Sequence, residues 1–227
     1  MEAIILAGGL GTRLRDVVSD VPKPMALIRG KPFLELLLHN LEQKGFERII
    51  LSVGYMANSI SDYFGNKFGN LELCYEVEAT PLGTGGALQV ALRKCLNDHI
   101  FVFNGDTFLD LEIECVEALW AANHNPVMVA REVPDMARYG QLVTESERVV
   151  KFLPKGKASR GLINAGCYLL PKDILSNFQL GLPFSLESDF FPKYIQSNTL
   201  NFYTSHGFFI DIGIPEDYLR AQDQIGQ

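Results

Sequence analysis

Lys23 stands between two prolines, Pro22 and Pro24, ten residues after Arg13, and Arg13 closes the glycine-rich run Gly8-Gly9-Leu10-Gly11-Thr12-Arg13. Glycines that follow a short apolar strand leave backbone N–H groups free in a concave row, and such rows bind anions. A Cβ would obstruct both positive φ and close approach of the backbone to a phosphate. Arg13 adds a planar fork of donors and Lys23 a point charge, the usual side-chain partners of phosphate. The chemistry indicated is the holding of a polyphosphate. The same residues also suit a flexible loop carrying solvated charges. A dinucleotide fingerprint fails, because counting from Gly9 the third glycine of G-x-G-x-x-G falls on Leu14, and no P-loop spacing occurs either.

Two carboxylates could complete such a site. Asp106 follows Ile100–Asn104 and Gly105, at the carboxyl end of an apolar strand pattern. Mg²⁺ favours one or two carboxylates plus phosphate oxygens, and nucleotidyl transfer needs a cation to offset triphosphate charge. Asn-Gly-Asp is equally a turn sequence. Asp211 lies in Phe208-Phe209-Ile210-Asp211-Ile212-Gly213, where an unpaired buried acid is costly. A metal, a backbone donor or an arginine would each relieve that cost. Pro81-Leu82-Gly83-Thr84-Gly85-Gly86-Ala87 is a second glycine-rich segment, suited to a base or ribose, or to a plain helix start with Thr84 as cap.

The run Leu6-Ala7-Gly8-Gly9-Leu10-Gly11-Thr12-Arg13-Leu14, followed by Pro22-Lys23-Pro24-Met25, resembles the signature of the sugar-1-phosphate nucleotidyltransferases, and the resemblance extends from Ala3 to about Tyr218. Among the branches of that family the chain is most similar to the D-glycero-D-manno-heptose 1-phosphate guanylyltransferases. That finer similarity is carried by Ser19–Met25, Pro81–Ala87 and Asn104–Phe108. The resemblance implies transfer of a nucleotidyl group from a nucleoside triphosphate, here GTP, to a sugar 1-phosphate, here a heptose, with loss of pyrophosphate. It implies a place in nucleotide-sugar and cell-surface polysaccharide biosynthesis. Arg13 and Lys23 become the catalytic cations, and Asp106 and Asp211 the ligands of Mg²⁺. Leu6, Ala7, Gly8, Gly9, Gly11, Thr12, Glu78, Pro81, Gly83 and Thr84 bind the nucleotide, with the segment from Glu78 to Gly83 along the base. The Glu78 carboxylate can accept from N1–H and N2–H₂ of guanine; it is also a plausible exposed strand-end acid. Around the sugar phosphate come Gly140, next to Tyr139, then Lys155, Asn164, Gly166 and Glu187. Lys155 holds the phosphate, Asn164 and Glu187 the hydroxyls, and Gly140 admits the ring. The family has a glutamate before the lysine where this chain has Pro154. That departure leaves open the glutamate's sugar contact and the register of the loop. Rival readings are a uridylyl- or thymidylyltransferase for another sugar, and a non-catalytic sugar-nucleotide sensor.

These residues need a scaffold, and the pattern supplies one. Apolar runs at Ala3–Ala7, Arg48–Val53, Glu72–Glu76, Ile100–Asn104 and Val127–Arg131 alternate with helical periodicity at Phe33–Lys44, Met56–Phe64, Gly86–Cys95 and Cys115–Asn123. That alternation predicts an α/β fold, one Rossmann-like domain with a mainly parallel central sheet. Past residue 131 the texture changes. Gly140–Thr144, Val149–Phe152 and Leu162–Leu170 predict short strands of a smaller, partly antiparallel region laid against the main sheet. Helices are expected near Leu186–Gln196 and Pro215–Gln224, with a strand at Phe208–Ile212 between them. The resemblance assigns residues 1–131 to the nucleotide and 132–227 to the sugar phosphate.

Bulk properties narrow the partners. A chain of 227 residues suffices for one well-buried domain. Its net charge of −7 argues against nucleic-acid binding. No apolar run approaches a membrane span of about 20 residues, and no signal peptide is visible. Cys74, Cys95, Cys115 and Cys167 form no C-x-x-C pair, so free thiols in the cytoplasm are expected. His39, His99, His124 and His206 suggest structural or surface roles, and no nucleophile arrangement for covalent catalysis emerges. A homo-oligomer stays open.

Overall fold

The computed structural model describes residues 1–9, 11–14, 17–18, 20–156 and 159–225. Leu10 and Ser19 of the N-terminal motif, Lys157 of the segment after Pro154 and the Thr12 side chain lie outside that description. The N-terminal apolar run forms strand β1 (Glu2–Leu6), and a small hairpin, β2 (Leu27–Ile28) and β3 (Lys31–Pro32), precedes helix α1 (Phe33–Gln43). Next come β4 (Arg48–Val53), α2 (Ala57–Phe64), β5 (Lys67–Phe68) and β6 (Leu71–Val77). Helix α3 (Gly83–Leu92) leads to β7 (His99–Asn104) and β8 (Thr107–Leu109), and α4 (Ile113–Asn123) to β9 (Val127–Val133). Strands β10 (Gln141–Glu145), β11 (Arg148–Leu153) and β12 (Gly161–Pro171) follow. A wide π-type turn at Leu186–Phe190 runs into the short α5 (Phe191–Tyr194). Strands β13 (Asn201–Ser205) and β14 (Phe209–Asp211) and helix α6 (Pro215–Gln224) come last.

Among the described residues ten strands share one sheet, in the order β10-β11-β13-β9-β12-β7-β1-β4-β6-β5. β7, β1, β4 and β6 run parallel, whereas β12 is antiparallel to both β7 and β9. The antiparallel strands therefore extend the sheet edge to edge, instead of lying against it as a second layer. Strand β13, which the sequence pattern does not mark, enters parallel to β9.

Side-chain alternation explains why β1, β4 and β7 read as nearly unbroken apolar runs. Ala3 and Ile5 point into one core with Phe101 and Phe103, while Ile4 points into the other with Ile50 and Val102. A sheet covered on both faces selects apolar residues at every position. On the first face α1 contributes Phe33, Leu34, Leu37, Leu38 and Leu41, and α4 adds Val116 and Trp120. His99 and His124 rest on the Trp120 ring. α3 covers the second face through Leu88, Ala91 and Leu92.

The end of α1 carries a glycine cap. Gly45 takes a φ of 80°, and the Phe46 N–H reaches back to the Leu41 carbonyl at 3.1 Å, a Schellman closure. Helix α3 instead begins three residues before the expected Gly86. Close contact with Phe184 offsets the poor helix propensity of its glycines: Gly85 N–H donates to the Phe184 carbonyl at 2.9 Å. The helix also stops before Cys95, because the Arg93, Lys94 and Cys95 N–H groups bond three residues back and tighten the last turn. All four cysteines are free. Among the described residues no helix is long and apolar enough to cross a membrane.

Candidate functional site

Leu6 and Asn104 are partners at the carboxyl ends of β1 and β7, so the loops after these strands open at one edge of the sheet. Gly105 N–H donates to the Leu6 carbonyl at 2.9 Å, which fixes the two loops together. A cleft of about 430 Å³ lies here. Leu6, Ala7, Gly8, Gly9 and Gly11 line it from one side, Glu78, Pro81, Gly83 and Thr84 from another, and Lys23 and Asp106 from a third. The glycines differ in why they are needed. Gly11 has a φ of 60°, a Cβ on Gly8 would collide with the Glu78 carboxylate, and a Cβ on Gly9 would stand in open space. Arg13 is exposed on the 3₁₀ turn Thr12–Leu14 and is not among the lining residues.

Lys23 begins a second 3₁₀ turn, Lys23–Met25, anchored by buried Pro24 and Met25. The prolines preset the backbone, and the ammonium is carried inward. Its Nζ meets Asp106 Oδ2 at 2.5 Å, with the lysine side chain 9% exposed. Asp211 arrives from the far end of the chain: β14 pairs antiparallel with β8 and sets Asp211 opposite Thr107, beside Asp106. Ile212 N–H closes the juncture on the Asp106 carbonyl at 2.9 Å. Burial pushes the Asp211 carboxyl above its ordinary value and the Asp106 charge pushes it further. Lys23 and the Gly213 N–H, 2.5 Å from Oδ1, pull it back only in part. The costly acid expected from the sequence is thus a like-charged neighbour of Asp106 under partial relief.

Glu78 is partly buried, not exposed. Its Oε2 accepts from Leu82 N–H at 3.0 Å and so braces the turn into α3. Burial raises its carboxyl above the ordinary 4.5, against the hydrogen bonds from Leu82 and Ser52. The protonated form therefore contributes stability that is complete below 4.5 and is lost as pH rises through the raised value. Glu78→Gln removes that loss. The Tm of the variant relative to wild type is expected to climb as pH rises above 4.5 and to level off once Glu78 is fully ionised in the folded protein; a flat difference would show that burial does not shift Glu78.

Thr84 is not a helix cap. α3 starts one residue earlier with no side-chain cap, and Thr84 Oγ1 donates to Glu187 Oε2 at 2.7 Å while accepting from Leu186 N–H at 2.9 Å. The second glycine segment is thereby tied to the turn that carries Glu187. Glu187, Tyr168 and Asn164 are linked in turn by hydrogen bonds. Gly140 and Lys155 reach the same neighbourhood through strand register, since Gln141 pairs with both Leu153 and Ile163. Lys155 is exposed on the loop after β11, and the next residue, Gly156, bonds through its N–H to Ala137. Gly140, Lys155, Asn164, Gly166 and Glu187 are not part of the lining of the glycine cleft. Thr84 joins the two groups. Tyr139, beside Gly140, faces Asp211: burial raises its phenol first and the Asp211 charge second. Sequence reasoning passed over Tyr168, which reads as one more apolar position of a buried strand. It also read Asn104, which lines the cleft, as a strand end, a turn residue and part of the finer resemblance, not as a site residue.

A glycine-lined cleft at the carboxyl edge of an α/β sheet, flanked by a buried lysine and two adjacent aspartates, has the layout of a protein that handles nucleotide phosphates. The chain belongs to the nucleotidyl transferase family, which it matches over residues 2–227. It is 40% identical over 226 residues to the D-glycero-alpha-D-manno-heptose 1-phosphate guanylyltransferase of Aneurinibacillus thermoaerophilus, covering 99% of this chain and 98% of that one. The protein of the same name from Campylobacter jejuni is 40% identical over 220 residues, with 96% and 97% covered. Among solved structures, HddC from Yersinia pseudotuberculosis in complex with GMP-PN superposes with a TM-score of 0.87 at 39% identity, covering 98% of each chain.

Proposed function

We propose that this protein transfers GMP from GTP to D-glycero-D-manno-heptose 1-phosphate, giving GDP-heptose and pyrophosphate. The observation that carries the reaction type is the Lys23–Asp106 pair, with Asp211 beside it, at the mouth of the glycine-lined cleft. The choice of GTP and heptose rests on the relatives that share 40% of this sequence over nearly its full length.

An oxygen of the sugar phosphate attacks the α-phosphorus in line, and the bond to the β-phosphate breaks. No nucleophile has to be built, because the attacking group is already an anion. Catalysis is then positioning and charge stabilisation. Lys23 offsets the charge that develops around the α-phosphate, and Arg13 with the N–H groups of the glycine loop holds the departing pyrophosphate. Lys155 steers the attacking phosphate, Gly140 admits the sugar ring, and Asn164 and Glu187 bind its hydroxyls.

The two aspartates suit a hard cation. They are adjacent, one of them partly buried and raised first by that burial and then by the charge of the other, and oxygen ligands of this kind are those Mg²⁺ takes. Among the described residues no group of three or more metal-binding side chains occurs, so phosphate oxygens would have to complete the coordination. Bound to Asp106 and Asp211, Mg²⁺ supplies charge neutralisation for the phosphates. At the base, Glu78 accepts from guanine donors that uracil and thymine lack in that pairing. Free thiols and a nucleoside triphosphate donor both fit a cytoplasmic enzyme.

Pyrophosphate release, measured across GTP, UTP, TTP and CTP against manno- and gluco-configured sugar 1-phosphates, tests the reading. GTP with a manno-heptose phosphate is expected to give the highest kcat/KM. Preference for UTP or TTP overturns the choice of donor, and no release with any pair overturns the transferase reading.

A further inference from the structure

Asn164, Tyr168 and Glu187 form a hydrogen-bond chain whose direction is fixed. Asn164 Oδ1 accepts from Gly166 N–H at 2.9 Å, which commits the amide NH₂ to the opposite side. There Nδ2 donates to the Tyr168 hydroxyl at 2.7 Å. Having accepted one proton, that hydroxyl gives its own to Glu187 Oε1 at 3.3 Å. Glu187 Oε2 accepts from Thr84 Oγ1 at 2.7 Å and from Ser185 Oγ at 2.8 Å. Tyr168 is fully buried. Burial, and then the Glu187 charge, raise its phenol well above the ordinary range, so it remains a donor.

The backbone is bent to make this possible. Residues four apart in a flat strand lie about 13 Å apart on one face. In β12 the register against β9 shifts between Asn164 and Tyr168. Gly166, at a φ of 69°, forms the bulge, and a Cβ there would come within 2.6 Å of Asn104 Nδ2. A bulge that re-aims one side chain at another is a feature of functional strands.

We propose that Tyr168 is a positioning residue for the acceptor sugar, one that holds in fixed relation the two groups reading its hydroxyls, an amide donor oriented by Gly166 and a carboxylate acceptor. With its bonds made as above, Asn164 keeps a second amide hydrogen and Glu187 keeps free lone pairs on its carboxylate oxygens. One ring hydroxyl must then accept, from Asn164, and another must donate, to Glu187. The inference rests on the reading of Asn164 and Glu187 as the sugar contacts of a heptose 1-phosphate guanylyltransferase.

Tyr168→Phe keeps the ring and deletes the relay. It is expected to raise KM for the sugar 1-phosphate roughly tenfold to a hundredfold, with kcat and KM for GTP changed by less than about threefold. Sugar 1-phosphates with one hydroxyl replaced by fluorine, which accepts but cannot donate, give a readout without any variant. In the wild type one such position is expected to lose more than about tenfold in kcat/KM and a second to hold within about threefold. In Tyr168→Phe that contrast shrinks. Equal use of all fluorinated sugars by the wild type overturns the inference, whether or not the variant folds. So does a variant with lowered Tm and kcat and an unchanged sugar KM, which would mark Tyr168 as structural. If the wild type releases no pyrophosphate from GTP with the parent sugar phosphate, the functional reading fails first and carries this one with it.

Discussion

Lys23→Ala is expected to lower kcat by roughly 10²–10³, the usual cost of losing one preorganised charge-stabilising donor. The side chain is 9% exposed and its ammonium is the cation at 2.5 Å from Asp106, so water cannot substitute for it at equal strength. Lys23→Arg is expected to rescue poorly. A planar fork does not occupy the place of a compact ammonium, and Pro22 and Pro24 leave the backbone little room to adjust. Steady-state turnover with GTP and the heptose phosphate checks this, alongside a thermal melt. Near-native kcat in a folded Lys23→Ala protein would remove the assigned role.

Asp211→Asn is expected to abolish activity, a loss of at least about 10³-fold, while leaving the fold intact or firmer. The carboxyl is already pushed toward its neutral form by burial and by Asp106, so the amide removes a buried like-charge repulsion at little steric cost. Its Oδ1 can still accept from Gly213 N–H. Activity against Mg²⁺ concentration and Tm near neutral pH are the two measurements. If Asp211→Asn unfolds the protein, and Asp106→Asn shows an unchanged Mg²⁺ titration, both acids are structural.

Features that were legible in the sequence are those whose physics is local. β1, β4, β7 and the first half of β9 are buried on both faces, so each announces itself as an apolar run; β6, with Glu72 exposed between buried Leu71 and Leu73, shows instead the alternation of a strand with one wet face. The glycines and Asp106 sit within a few residues of strand ends that can be read directly, and Lys23 is marked by its flanking prolines. β13 could not be read this way. Two of its five residues, Asn201 and Ser205, are buried polar groups whose partners, Asn123 and Glu112, lie on and just before α4. Only the tertiary fold satisfies them. Thr84 illustrates the same limit: a hydroxyl in the first turn of a helix looks like a cap, yet its partners are 102 and 103 residues away. Tyr168 was hidden because a fully buried phenol in a strand has the sequence signature of core, and its hydroxyl matters only once β12 bulges.

The insertion of β13 between β9 and β11 has a consequence for how the protein is made. While residues past 200 are still inside the ribosome, the emerged chain holds the glycine loop, Lys23 and Asp106, but one side of β9 has no strand beside it. Such an open edge is a template for pairing with other chains, and strand pairings distant in sequence form slowly. The most hazardous interval in the life of this molecule is therefore the stretch of synthesis before β13 emerges. How fast β13 docks, more than the final stability of the sheet, should set how much of the protein a cell recovers in usable form.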